Sequence, residues 1–303
     1  MHYKNYHSQP AIVQLTSMFI TQHELANLAD PTSTALPYST YSVASNLAQY
    51  VGGWDPDWIS EDWHMFLKCF LNTGGEVSVD AIMLPVVNYT PEDETYWKSL
   101  MARWEQSKRH ALGISEMVYF LSALPDAYYA IRNQRKFMYF FLRGTLVMYK
   151  ILVTHIEMGT YWLLGTANGP LVWWVLNHPD DPTSIGPWWR SFWLKTNICF
   201  TTFSLCLYFF FNVLNVTLYM GIKDRVVPFP ESAWFWRWVY HNGCAHYFFF
   251  IGATVALAPI LGVAGGLTAW RAAVKCARSH KFEYVVALKP QAAKHKAESG
   301  SLF

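Results

Sequence analysis

Charge is what this sequence has least of. Only 15% of its residues are charged while 52% are hydrophobic and 17% aromatic, a balance suited to a small bundle of membrane helices with aromatic belts at the interfaces. Residues 196–222 carry no charged side chain and are bracketed by Lys195 and Lys223. A helix of that length is about 40 Å long, enough to cross a hydrocarbon layer of about 30 Å with tilt to spare. Core helices of soluble proteins rarely run so far without one charge, so this stretch is expected to lie in lipid.

Other absences narrow the class further. The five cysteines, Cys69, Cys199, Cys206, Cys244 and Cys276, form no CxxC pair. That excludes a disulfide framework of the secreted kind. The N-terminus has no apolar h-region and no arginine precedes Arg103, so neither a secretory signal nor an Arg-rich transit peptide is expected. There is no HExxH, Walker or Gly-rich phosphate motif, and His155-Ile156-Glu157 lacks the PCxxC partner of a zinc deaminase. No internal repeat relates residues 137–177 to 196–270, which weighs against an independent small-molecule transporter.

What is present is strongly asymmetric. Residues 1–110 hold twelve acids against six Lys/Arg, whereas Arg271 onward holds seven Lys/Arg against two acids. An acidic extramembrane part and a basic tail facing lipid phosphates or an acidic partner fit that gradient. Nucleic acid fits it poorly, since the tail has no aromatic interleaving.

In chain order, most of residues 1–53 read as an extended arm with one short helix near Tyr41–Tyr50. The acidic aromatic block from Trp54 to Trp63 leads into a helix capped by Asp57 and ended by Gly74-Gly75, its Trp stripe read as packing. Thr90-Pro91-Glu92 reads as a helix start, running to about Arg109. Residues 112–130 read as an interfacial amphipathic helix, followed by a basic collar of Arg132, Arg135 and Lys136 that binds lipid headgroups on the inner side.

From Phe137 the chain is apolar, but Arg143, Lys150 and Glu157 recur every seven residues with Thr154 on the same face, an intramembrane polar stripe. It reads as a buried inter-subunit ion-pair seam, with a proton or ion path as the alternative. Gly165 to Pro170 is expected to break the helix, leaving residues 158–177 unassigned between a re-entrant segment and a short crossing. Trp188, Trp189 and Trp193, then Trp234, Trp236 and Trp238, mark interfacial belts. The last span, about Cys244–Trp270, carries small residues at packing spacing: Ala258, Gly262 and Gly266, with Gly252 and Ala256 as a second pair. Arg271, Lys275 and Arg278 extend the headgroup-binding set.

The expected fold is therefore an all-α integral membrane protein with three, alternatively four, transmembrane helices. Its divisions are an acidic, Trp-rich segment (1–110), an interfacial helix and collar (111–136), a transmembrane region (137–270) and a basic tail (271–303). No metal site is expected. His155, His241 and His246 are the residues that would supply one, and a haem bridging His155 and His246 fails on depth. The expected function is a non-catalytic accessory subunit of a large energy-transducing complex, a respiratory-chain complex or ATP synthase of the mitochondrial inner membrane. It would need no cofactor and would hold bound phospholipid such as cardiolipin. Its partners would be other subunits and anionic lipids. A redox or proton-translocating subunit is the alternative.

Overall fold

The computed structural model describes residues 2–278 apart from 4, 7, 8, 57, 85, 94, 132, 133, 179–187, 189, 204, 205, 208, 209, 211–237 and 239–241. The chain is mostly helical. In order come α1 (Ala11–Leu28), α2 (Ser45–Tyr50), α3 (Glu61–Asn72), α4 (Tyr96–Ala111), α5 (Ser115–Ala130), α6 (Gln134–Leu152), α7 (Met158–Asn177) and α8 (Gly243–Arg278). A 3-10 turn at Leu112–Ile114 joins α4 to α5, and a π-helical turn at Val153–Glu157 joins α6 to α7. Residues 190–203 are also helical. Two dipeptides, β1 (His2–Tyr3) and β2 (Val87–Asn88), pair in parallel with His2 opposite Val87.

The main core forms where α3, α5 and α6 meet. Phe66, Leu67 and Phe70 of α3, Phe120 of α5, and Phe140, Val147 and Ile151 of α6 pack together with Leu36. Phe70 stacks on Phe140 with ring centroids 5.6 Å apart. α3 stops at the expected glycines: Gly74 and Gly75 both have positive φ, and Gly75 sits against Phe140 so closely that a Cβ would come within 3.0 Å of its ring. A second cluster joins Leu15 and Met18 of α1 to Phe249 and Leu257 of α8. A third joins Ile114 to Ala272 and Cys276. The acidic N-terminal part is thus packed on the rest of the chain through α1 and α3.

Three expectations fail in detail. The extended arm contains α1, a regular 18-residue helix; its Gln, Thr, Ser and His residues blur the apolar period that would have announced it. Thr90 does not start a helix, because Asn5 holds its backbone N–H and C=O at 2.9 and 2.8 Å. α4 starts later, with the Thr95 hydroxyl accepting from the Lys98 N–H. Gly165 to Pro170 does not break α7, which stays helical to Asn177; one missing N–H is tolerated inside a long helix. Among the described residues, one helix, Arg135–Ile156, is long and apolar enough to cross a membrane. Most of the uncharged 196–222 stretch lies outside the described residues.

Candidate functional site: a buried carboxylate–histidine relay

The sequence placed its candidate site on α6, and the structure gives those residues partners in the N-terminal part. Arg143 is buried. Its guanidinium donates to three backbone carbonyls, those of Gly75, Ser33 (2.9 Å) and Val77 (2.9 Å), and to the Tyr139 hydroxyl. Its Nε has no partner among the described residues. Two turns on, Lys150 pairs with Asp30 at 2.5 Å and donates to the Thr34 carbonyl. Thr154 then meets His23 of α1 at 2.9 Å. Burial alone would raise the Asp30 carboxyl, but its bonds to Lys150, Thr32 and Thr34 overcome that and hold it well below the usual carboxylate range. The side chain of Glu157 lies outside the described residues.

Other expected positions are scattered. Arg132, His241 and the side chain of His246 lie outside the described residues. Arg135 is exposed, and Lys136 pairs with Glu76. Arg271, Lys275 and Arg278 are exposed near the end of α8. Gly266 is buried, but Gly252 and Ala256 are exposed, and a Cβ on Gly252 would meet nothing within 4 Å. That pair is not a contact face within the described chain. Ala258 and Gly262 are helical, with surroundings outside the described residues. His155 lies edge-on to Trp63 at 5.0 Å and against Gly113, its buried Nε2 unbonded among the described residues. Among the described residues no group of three or more His, Cys, Asp or Glu could hold a metal ion.

The densest set of ionisable side chains lies elsewhere, at the start of α3. Glu116 of α5 is fully buried. One of its oxygens accepts from the Trp58 indole N–H and from the Ser60 hydroxyl at 2.7 Å. The other lies 3.1 Å from His64 Nδ1, while His64 Nε2 lies 2.8 Å from Asp55 Oδ2. Asp55 in turn binds Lys68 at 2.9 Å. The imidazole is sandwiched between Trp58 and Tyr119, at centroid distances of 4.2 and 4.3 Å. Carboxylate oxygens face both ring nitrogens, so both must carry hydrogen unless a carboxyl proton takes the place of one. A continuous chain of hydrogen-bond contacts thus leads from a fully buried carboxylate to a half-exposed one.

No protein-family model, curated protein or solved structure matches this chain. The site has to be judged on its own chemistry.

Beside the relay, Asp62 occupies the first turn of α3. Burial pushes its carboxyl up to about 6, and the neighbouring Glu61 and Glu116 add to the rise, against the opposing bond from the Trp63 N–H. Asp55 is moved the other way, chiefly by its bond from Lys68; burial opposes this, and the bond from His64 adds a lesser fall. Carboxyl groups a few residues apart are therefore driven in opposite directions, the pattern that separates an acid from a base. Sequence reasoning missed this set because Glu116 and His64 are 52 residues apart. The one available signal was the block Trp54 to His64, where acids, tryptophans and a histidine are unusually dense.

Proposed function

We propose that this chain is a membrane-attached enzyme, or the membrane-bound part of one, that moves a proton at the start of α3. Asp62 is the general base and the Glu116–His64–Asp55 relay holds the surrounding groups in place. The observation that carries this reading is the hydrogen-bonded Glu116–His64–Asp55 chain at the start of α3, beside which burial raises the Asp62 carboxyl. A base is most effective when it titrates near the working pH, because it is then largely ionised yet still binds a proton well. The test is an untargeted turnover assay. The purified protein is incubated with a membrane lipid extract and a cytosolic metabolite pool, and mass spectrometry follows what is consumed. Wild type should consume a substrate that Asp62→Asn leaves untouched. A wild-type profile identical to that of Asp62→Asn would remove the enzymatic reading.

The accessory-subunit reading is the second proposal. What supports it is the wide display of large apolar side chains on α6 and α7, such as Leu142, Tyr149 and Trp173, which would suit neighbouring subunits of a respiratory-chain complex or ATP synthase in the mitochondrial inner membrane. Bound cardiolipin would fit the basic collar. Migration with a much larger assembly on a native gel supports this reading, and migration alone removes it. The redox and proton-path alternatives have less support, since Arg143 and Lys150 are already occupied by Ser33, Gly75, Val77 and Asp30.

A further inference from the structure

By composition, α6 is the described helix best suited to cross a bilayer, yet its surroundings argue otherwise. Its buried face, Phe140, Arg143, Gly144, Val147 and Ile151, is covered by α3, α5 and two irregular segments. Those segments are residues 29–36, bonded through Asp30 and the Ser33 carbonyl, and residues 73–79, bonded through the Gly75 and Val77 carbonyls. Together with His23 they follow α6 from Phe140 to Thr154, about 21 Å along its axis. Pro31, Thr32 and Glu76 within them are exposed. If α6 crossed the bilayer, the irregular backbone of residues 29–36 and the carbonyls bonded to Arg143 would lie at hydrocarbon depth. Lipid cannot satisfy them, and non-helical backbone occurs there only when enclosed by protein or facing a water-filled cavity.

The opposite face is of another kind. Met138, Phe141, Leu142, Leu146, Tyr149 and Leu152 are all exposed at helical spacing, and Thr145 is the one polar residue among them. Arg135 and Lys136 open the helix with positive charge suited to anionic headgroups. The helix continues through the π turn into α7, whose Leu171, Trp173 and Trp174 are exposed as well.

We propose that α6 lies in the plane of the membrane surface, with its apolar face in the headgroup–acyl boundary and the N-terminal part resting on top. The surface is a lipid-binding one, and it seats the relay at the membrane surface, within reach of an amphipathic or lipid-linked substrate. This inference rests on the membrane reading of the chain. It does not depend on Asp62 being a base.

The test uses the full chain reconstituted in phosphatidylcholine–phosphatidylglycerol vesicles. Flotation comes first: a protein that stays at the bottom of the gradient overturns the membrane reading itself. Single cysteines are then placed by Met138→Cys, Leu142→Cys, Tyr149→Cys and Leu152→Cys in a background lacking the native cysteines. They carry an environment-sensitive fluorophore, quenched by lipids with a nitroxide at a shallow or a deep acyl position. An in-plane α6 gives the same shallow depth at all four, about 5–10 Å into the boundary. A profile with Leu142 and Tyr149 deep and Met138 and Leu152 shallower overturns the proposal while leaving membrane attachment intact. Should the cysteine-free background melt differently from wild type, a benzophenone side chain at 142 or 149 of the natural chain replaces the fluorophore. Cross-links to the upper acyl carbons are then expected, and cross-links to the chain ends refute the in-plane placement.

Discussion

At the scale of single residues the chain holds two carboxylates whose pH responses run in opposite senses. Asp62 is raised, so the native state keeps a proton that the unfolded chain releases nearer pH 3.8. Its contribution is fully present at low pH and is lost as pH rises through about 6. Asp62→Asn should therefore stabilise the protein by about 2 kcal/mol at about pH 7.5, by roughly half as much at about pH 5 and by little at about pH 3, as thermal melts at the three pH values would show. Asp30 is lowered, so its contribution is present above its ordinary value of 3.8 and is lost as pH falls further. Asp30→Ala leaves Lys150 half-buried without its carboxylate and should cost about 3 kcal/mol in denaturant titrations. Arg143→Met strands three backbone carbonyls and should cost a similar amount, about 3 kcal/mol. Arg143→Lys should recover only part of it, since an ammonium cannot reach all three carbonyls that the planar guanidinium fork spans.

At the scale of elements, the Gly74-Gly75 turn couples α3 to α6. Gly75→Ala places a Cβ in a left-handed conformation, 3.0 Å from the Phe140 ring and 3.3 Å from the Phe140 backbone, and should cost about 1–3 kcal/mol by the same titration. This turn was legible in the sequence, as were α3, α5 and α8 in outline, because glycine pairs and long apolar runs carry local signals. The stripe on α6 was legible as a stripe: seven-residue spacing fixes a helical face whatever lies opposite. What lay opposite was not legible. Asp30 is 120 residues from Lys150, and nothing in the local spacing of either announces the other. Glu116 was hidden for the same reason, an isolated acid in an apolar helix whose acceptor role emerges only once Trp58, Ser60 and His64 are folded around it. α1 was missed because its apolar residues are spread around the helix and polar ones, Gln14, Ser17, Glu24 and Asn27, share the buried face.

For the whole molecule, the N-terminal 110 residues, acidic in sum, are folded onto the chain's own helices through Phe70 and Leu15. From the sequence alone, most of residues 1–53 read as an extended arm. The basic collar then becomes a question of membrane affinity. Arg135→Glu with Lys136→Glu should weaken partitioning onto anionic vesicles by about 1 kcal/mol for each positive charge removed, and high salt should erase the difference. Sedimentation with phosphatidylglycerol vesicles at two ionic strengths measures both.

The π turn at Val153–Glu157 sets how the two long helices are phased. A turn of this kind accommodates one surplus residue, which rotates everything downstream by about 100° relative to an uninterrupted α-helix. The side of α7 that carries Trp173 is therefore aimed by an insertion and not by the heptad that arranges Arg143 and Lys150. Excising a single residue there would keep both helices yet swing the tryptophan side to a new bearing, so the angle between the two helices' outward sides can be altered without touching either sequence.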